Sequence, residues 1–299
     1  MPSPTERSFT PRQIAEGLGV SESSVKRWID AGHLDAGRTV GGHRRVTIRE
    51  IVRYLRKSGA EVVRPDVLCL TGPTDLGDDE AHLPSVELPS AEHLFELFKA
   101  DQTEEAHDLI VTAYLRGNSL AALCDGPIRE ALHQVGALWD VECAEATQTG
   151  IVTEHRATDV VLQALGHIRS LIPTPQNGFG AAVGGALSGD IYLIPSVMVA
   201  AVVADQGTPA INLGPETPPE SLISAAQRFR ASFIWVSCSV TADLEIMNDQ
   251  LLVVANGARE WGSQLIVGGK LASEISFAHP SLTVFETLGD LTQMLADSK

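Results

Sequence analysis

Two helix-start signals stand eleven residues apart near the amino end, Thr10-Pro11 and Ser21-Glu22, with Gly19 between them. One continuous helix cannot use both. Thr10 caps a helix whose first position is Pro11, where a missing N–H costs nothing. Gly19 permits a tight turn, and Ser21 caps a second helix with Ser24 at its third position. Ile14, Ala15 and Leu18 form the apolar face of the first helix; Val25, Trp28 and Ile29 recur at helical spacing on the second. Ser23, Ser24, Lys26 and Arg27 are left outside. Two short helices joined by a glycine turn, the second polar and basic outside, have helix-turn-helix geometry, and the second helix has the diameter of a DNA major groove.

The run GRTVGGHRRVT follows. Gly41 and Gly42 can both take the positive φ of a hairpin turn, which places Arg38, Thr39, His43, Arg44 and Arg45 on a two-stranded wing. These side chains suit phosphates or a minor groove. Thr47 caps a third helix with Ile48, Ile51, Val52 and Leu55 buried and Arg49, Arg53, Arg56 and Lys57 outside. The pattern TPRQIAEGLGVSESSVKRWIDAGHL with RTVGGHRRVTIREI resembles the winged-helix domain of MerR-type transcription regulators over about residues 9–58. The resemblance implies binding to double-stranded DNA; the other use of such a module is protein contact. Trp28 reads as core rather than as a base contact.

Charge agrees with an anion partner at this end. Residues 1–64 hold 12 Lys+Arg and 7 Asp+Glu, a net of +5, whereas the remainder holds 10 and 31, a net of −21. The acidic body would repel a polyanion, so DNA should meet the amino-terminal module alone. A module this small reads few base pairs, which predicts a homo-oligomer, dimer or tetramer, on repeated operator half-sites.

Composition shifts divide the chain into a basic module at 1–64, a linker at 65–89 with four prolines and an acidic run, a helical block at 90–171 and an alternating block at 172–299. There is no tandem repeat. In the helical block Leu94, Leu97 and Phe98 mark one helix after Ser90. Thr103 caps a second, Pro127 opens a third that ends at Trp139, and a fourth spans about 145–168 with Ile151, His155, Thr158, Leu162 and Leu165 as its stripe. Four such helices fit a small bundle. The last block reads as strands at 181–187, 211–213, 233–239, 264–267 and 282–285 separated by helical patterns, which implies a doubly wound, Rossmann-like parallel sheet. Ligands in such sheets sit beyond the carboxyl ends of the strands, where Asp190, Tyr192, Ser237, Ser239, Thr241, Gly268 and Gly269 lie. The fold class is therefore multidomain α and α/β: winged helix-turn-helix, four-helix bundle, Rossmann-like sheet.

Bundle plus sheet resembles the cobalamin-binding module of methionine synthase and of light-sensing, cobalamin-dependent MerR-type repressors. Position by position, the family's Asp/Glu-x-His-x-x-Gly loop falls on Asp190 to Pro195, with Tyr192 in place of the cobalt-ligating histidine and Pro195 in place of the glycine. The Ser-x-Ser strand end falls on Ser237 and Ser239, and the Gly-Gly on Gly268 and Gly269. Trp139 matches the tryptophan that shields the upper corrin face, and a Glu-His pair occurs at Glu154 and His155 rather than at positions 149 and 150. Tyrosine is a poor cobalt ligand at neutral pH. The expectation is a pocket that takes another flat or tetrapyrrole ligand, with adenosylcobalamin sensing of light and a purely protein-binding module as the alternatives.

The resemblance and the residues together give a DNA-binding regulator, a repressor by analogy, whose oligomeric state is controlled by a small-molecule effector or protein partner at its carboxyl-terminal module. No catalytic motif is anchored, so an enzyme is not expected. Cys69, Cys124, Cys143 and Cys238 form neither a CxxC pair nor a zinc spacing. No apolar run opens the chain or reaches the length of a membrane span. A cytoplasmic, nucleoid-associated protein without a membrane partner is the expectation.

Overall fold

The computed structural model describes residues 7–39, 41–70, 88–139, 144–172 and 180–297. It contains two compact units, Met1–Ser119 with Gly126–Pro173, and Leu120–Asp125 with Thr174–Lys299.

In the first unit, α1 (Pro11–Gly17) and α2 (Glu22–Asp30) follow a short strand β1 (Ser8–Phe9). Thr10 forms a reciprocal cap: its Oγ1 accepts from Gln13 N at 3.2 Å while Gln13 Oε1 accepts from Thr10 N at 3.0 Å. Ser21 Oγ accepts from Ser24 N at 3.2 Å. Strands β2 (Gly37–Arg38) and β3 (Arg44–Thr47) form the wing, with β1 on the other side of β3. Its turn closes through Thr39 N to His43 O at 2.9 Å and Gly42 N to Thr39 O at 2.8 Å. Only Gly42 has positive φ, +80°; Gly41 does not, so one glycine suffices where two were expected. Helix α3 (Ile48–Ser58) buries Ile48, Ile51, Val52 and Leu55 as expected.

Two of the four basic residues expected outside α3 are engaged instead. Arg56 stacks 3.8 Å over the Tyr114 ring and donates to the carbonyls of Tyr114 (2.6 Å) and Asn118 (3.1 Å). Arg49 Nε donates to Ser170 O at 3.4 Å. The amino-terminal module also extends past residue 64. Leu68 and Leu70, placed in the linker by composition, are fully buried, and the amides of Val63 and Arg64 bond Gly17 O. A proline-rich composition hid two leucines that plug the module; the rest of the expected linker, 71–87, lies outside the described residues.

The bundle consists of α4 (Ala91–Lys99), α5 (Thr103–Leu115), a six-residue excursion Leu120–Asp125 into the second unit that carries the short helix α6 (Leu120–Leu123), then α7 (Arg129–Gly136) and α8 (Ala144–Leu171). Thr103 is the first residue of α5, not its cap; Gln102 holds the cap position without a side-chain bond. Pro127 sits in an irregular turn, Cys124–Ile128, ahead of α7. The expected stripe of α8 is wrong in its first half: Ile151 and His155 are exposed, and the buried positions include Ala157, Val160, Val161, Ala164, Leu165 and Ile168. Small alanines, which carry no large apolar side chain to mark the face, let α8 pack closely on its neighbours.

The second unit is a five-stranded, all-parallel sheet in the order β5-β4-β6-β7-β8, built from β4 (Ala182–Gly185), β5 (Ala210–Asn212), β6 (Phe233–Ser237), β7 (Gln264–Gly268) and β8 (Leu282–Val284). In sequence order this is 2-1-3-4-5, the flavodoxin-like winding, with its switch point between β4 and β6. Strand alternation decides the layers. Val183, Ile234, Val236, Leu265 and Val267 face α10 (Pro219–Phe229) and α11 (Leu244–Glu260); Ala182, Phe233, Trp235 and Ile266 face α9 (Ile194–Asp205) and α12 (Leu288–Asp297). Asp125 completes the second layer. Its carboxylate accepts from Leu288 N and Gly289 N, each at 3.0 Å, at the amino end of α12.

Candidate nucleic-acid interface and switch-point site

On α2 the side chains of Ser23, Lys26 and Arg27 are exposed and Ser24 is half-buried. Ser21 Oγ lies 2.8 Å from Ser23 Oγ and 2.9 Å from Ser24 Oγ, and Arg27 Nη2 donates to Ser24 Oγ at 3.3 Å. The row is thus a connected set of donors and acceptors along one helix. Lys26 pairs with Glu22 at 2.8 Å, a spacing of four that was readable in the sequence. On the wing Arg38, Thr39, Gly41, Gly42 and His43 are exposed, and Arg44 and Arg45 half-buried. Arg44 reaches Asp30 at 2.6 Å and ties the base of the wing to the carboxyl end of α2. That pair spans fourteen residues and needed the fold to be seen. Among the described residues no ion pair engages Arg12, Arg27, Arg38 or Arg45. Arg12, exposed on α1, was not singled out by spacing. Trp28 packs against Tyr54, ring centroids 4.9 Å apart, but is only half-buried, and Val25 is the one fully buried residue of α2.

At the switch point of the second unit one carboxylate gathers two loops. Asp190 is buried, 4% exposed. Its Oδ1 accepts from Tyr192 N at 3.0 Å, and its Oδ2 from Ser239 N at 2.6 Å and Val240 N at 3.3 Å. Glu216 N in turn donates to Asp190 O at 3.1 Å, bringing in the loop after β5. Ser237 and Gly268 are register partners at the strand ends. Gly269, at φ +108°, passes so close to Cys238 that a Cβ would stand 2.5 Å from its carbonyl oxygen. Asp190, Ser237, Ser239, Gly268 and Gly269 therefore lie together at the carboxyl ends of β4, β6 and β7. Thr241 turns away to bond Asp243 O at 2.9 Å. Tyr192 projects outward, 44% exposed, with Ile191, Leu213 and Val240 as further exposed apolar side chains on the same three loops. Burial, reinforced by the Asp190 carboxylate, pushes the Cys238 thiol up to about 12, so it stays protonated. In the first unit Glu154 is half-buried and His155 exposed on α8. Trp139 closes a turn, Ala137–Trp139, and its side chain lies outside the described residues.

Residues 8–59 match the helix-turn-helix domain family. The match covers the capped helices, the wing and α3 just described. No curated protein aligns with the chain. Among solved structures it is similar to the monomethylamine corrinoid protein of Methanosarcina barkeri, at 15% identity over 69% of this chain and 97% of that one, TM-score 0.47. It is also similar to the methanol:cobalamin methyltransferase complex MtaBC of the same organism, at 16% identity over 75% and 88%, TM-score 0.35. A cobalamin-binding protein of Desulfitobacterium hafniense is similar at 11% identity over 70% and 98%, TM-score 0.33.

The switch-point residues do not fit a cobalt held through imidazole. The one histidine in 174–299 is His279, which stands just before β8, at the amino end of the parallel sheet and away from the switch loops. The Asp190 carboxylate is taken up by backbone amides. Between the sheet and α9 the space is filled. Trp235, 1% exposed, lies against Gly184, where a Cβ would be 2.1 Å from the indole. Its Nε1 donates to Ser196 Oγ at 3.1 Å, which donates to Asn212 Oδ1 at 2.7 Å. Among the described residues no group of three or more His, Cys, Asp or Glu could hold a metal ion.

Proposed function

We propose that the chain is a double-stranded-DNA-binding transcription regulator, acting as a repressor, with α2 in the major groove and the wing on phosphates or the minor groove. The observation that carries this reading is the exposed Ser23–Lys26–Arg27 face of α2, joined through Asp30 and Arg44 to a basic wing. The helix-turn-helix match over residues 8–59 supports it. So does the placement of a net +5 in residues 1–64 against −21 elsewhere, which directs a polyanion to this module.

The carboxyl-terminal module acts in this proposal as a sensor that binds and does not turn over. A ligand there meets the exposed apolar loops around Asp190 rather than a deep slot, because Trp235 occupies the space under α9. That favours a flat molecule or a protein partner over a corrinoid coordinated from below. Occupancy changes the association of protomers, and so the affinity for repeated half-sites, by binding one assembly better than the other.

The test is fluorescence anisotropy of the full chain on a mixed-sequence duplex across a salt series. About five phosphate contacts per protomer give a slope of log affinity on log salt near −4 to −5. Arg38→Ala and Arg45→Ala, both on the wing, should each lower that slope by about 0.9. Binding that is absent, or insensitive to salt and to both substitutions, refutes the reading.

A further inference from the structure

Helix α11 turns one face to the sheet and the other to solvent. Met247, Leu251, Val254, Ala255 and Ala258 are buried in the layer beneath it. Both flanks are engaged as well. Gly257 receives Ile223 of α10, where a Cβ would stand 2.5 Å from that side chain. On the other flank Asn248 donates to Glu274 O at 3.2 Å and accepts from Ser276 N at 2.8 Å. The outward face that remains should be polar if it meets only water. The neighbouring α10 obeys: Glu220, Ser221, Ser224, Gln227 and Arg228 are its exposed positions up to Phe229 at its end. Helix α11 does not. Ile246, Leu252 and Val253 are 53%, 38% and 42% exposed, and Trp261 at its carboxyl cap is 53% exposed. A single exposed apolar side chain is ordinary; several on one face of one helix mark a contact surface.

The charges on this face indicate what covers it. Residues seven apart align along a helix. Glu245, Leu252 and Arg259 make one row, Ile246, Val253 and Glu260 a second, and Asp249 and Asn256 lie between them. Among the described residues no ion pair engages Glu245, Asp249 or Arg259. A second copy turned by 180° about an axis beside Leu252 and Val253, perpendicular to α11, sets each row against itself reversed. Glu245 then faces Arg259 of the second copy and Arg259 faces Glu245, while Leu252 meets Leu252 and Val253 meets Val253. Asp249 faces Asn256, whose amide can donate to it. Ile246 lies at the end of its row, beside Glu260 and Trp261 of the second copy. A parallel arrangement instead puts Glu245 on Glu245, Asp249 on Asp249 and Arg259 on Arg259, all like-charge contacts. The face is therefore complementary to itself in one direction only, as an isologous contact requires.

We propose that the outward face of α11 is a self-association surface, which takes α11 of a second copy of this chain, antiparallel, across a twofold axis. The apolar centre supplies the attraction, and the charges at the two ends set the direction. Seventeen residues of helix are about 25 Å long, so one such pair lies below the roughly 1,200 Å² of standard interfaces and forms a weak, reversible dimer. The inference gives a surface to the protomer association in the proposed function, yet it requires neither DNA nor a ligand.

The experiment is sedimentation equilibrium of the full chain without DNA, from about 1 μM to 300 μM, the span of a weak interface. Salt at about 0.2 M damps the repulsion between the acidic bodies. Wild type should pass from monomer to dimer within that span. Leu252→Glu sets two carboxylates face to face at the axis and should weaken the dimer by at least about tenfold. Glu245→Arg and Arg259→Glu should each weaken it several-fold, and the double variant that exchanges them should return to within about threefold of wild type. Ser224→Glu, which adds the same charge to the exposed face of α10, should leave the dimer unchanged. A wild type that stays monomeric throughout, or a dimer that Leu252→Glu leaves intact, overturns the proposal; so does a double variant no better than the single ones. Should Leu252→Glu fail to fold by circular dichroism, the three charge variants decide. No measurement here contains DNA, so failure of the dimer leaves the DNA-binding reading standing, and failure of that reading leaves the dimer standing.

Discussion

Replacing Asp190 by alanine removes a carboxylate that joins the loops after β4 and β6. Three backbone amides lose their acceptor: Ser239 N at 2.6 Å, Tyr192 N at 3.0 Å and Val240 N at 3.3 Å. A hydrogen bond to a charged group contributes about 1.5–3 kcal/mol, and a buried donor left unpaired costs its full desolvation. Tyr192 and Val240 are exposed residues whose amides regain water at little cost. Ser239 is more enclosed and carries the shortest bond, so it dominates. The sum is about 3 kcal/mol, or roughly 150-fold in a local opening equilibrium. Hydrogen exchange of peptides covering the carboxyl ends of β4 and β6 reads that equilibrium directly, without interference from the first unit. Asp190→Asn should fall between the two, because its amide keeps one acceptor oxygen and turns a donor toward another donor. Protection within about threefold of wild type in Asp190→Ala would refute the claim that this carboxylate organises the switch point.

Arg56→Ala should cost about 2–3 kcal/mol in urea unfolding of the first unit, since it removes two bonds to the carbonyls at the end of α5 and the stack on Tyr114. Arg56→Lys keeps the charge but not the planar fork and should recover less than half of that loss. Gly184→Ala would drive a methyl group to 2.1 Å from the Trp235 indole and 2.3 Å from its carbonyl oxygen; a loss of about 3 kcal/mol from the second unit, with a shifted tryptophan emission, is the expected outcome. Cys124 and Cys238 should resist alkylation of the native protein at pH 8, as mass mapping can show, because burial keeps both thiols protonated, Cys238 up to about 12.

Local signals made much of this chain legible. Thr10, Ser21 and Thr47 cap their helices in the structure because a hydroxyl two or three residues before an amide needs only local geometry. The five strands were found within a few residues of their bounds, since runs such as Phe233–Ser237 are buried on both faces and stay apolar throughout. Where the reading failed, the cause was distant packing. Leu68 and Leu70 have the composition of a linker yet are buried, Leu68 against Gly17, where a Cβ would stand 2.5 Å from its side chain. Arg49 and Arg56 looked like solvent-facing charge until α5 and α8 supplied carbonyls. His107 and His167, whose facing ring nitrogens lie 3.4 Å apart, are sixty residues apart in sequence and gave no signal to each other at all.

Sequence alone determined the helix-turn-helix, the wing and the parallel winding, since caps, glycine turns and apolar periodicity are properties of neighbouring residues. It also determined that residues 174–299 hold no histidine except His279, and so lack an imidazole for a metal at the switch loops. Only the tertiary structure decided what Asp190 does with its charge, that Trp235 fills the space against Gly184, and that His107, Asp108 and His167 meet between α5 and α8. Each of these depends on which distant backbone comes within about 3 Å of a side chain, and that distance is set by packing, not by spacing along the chain.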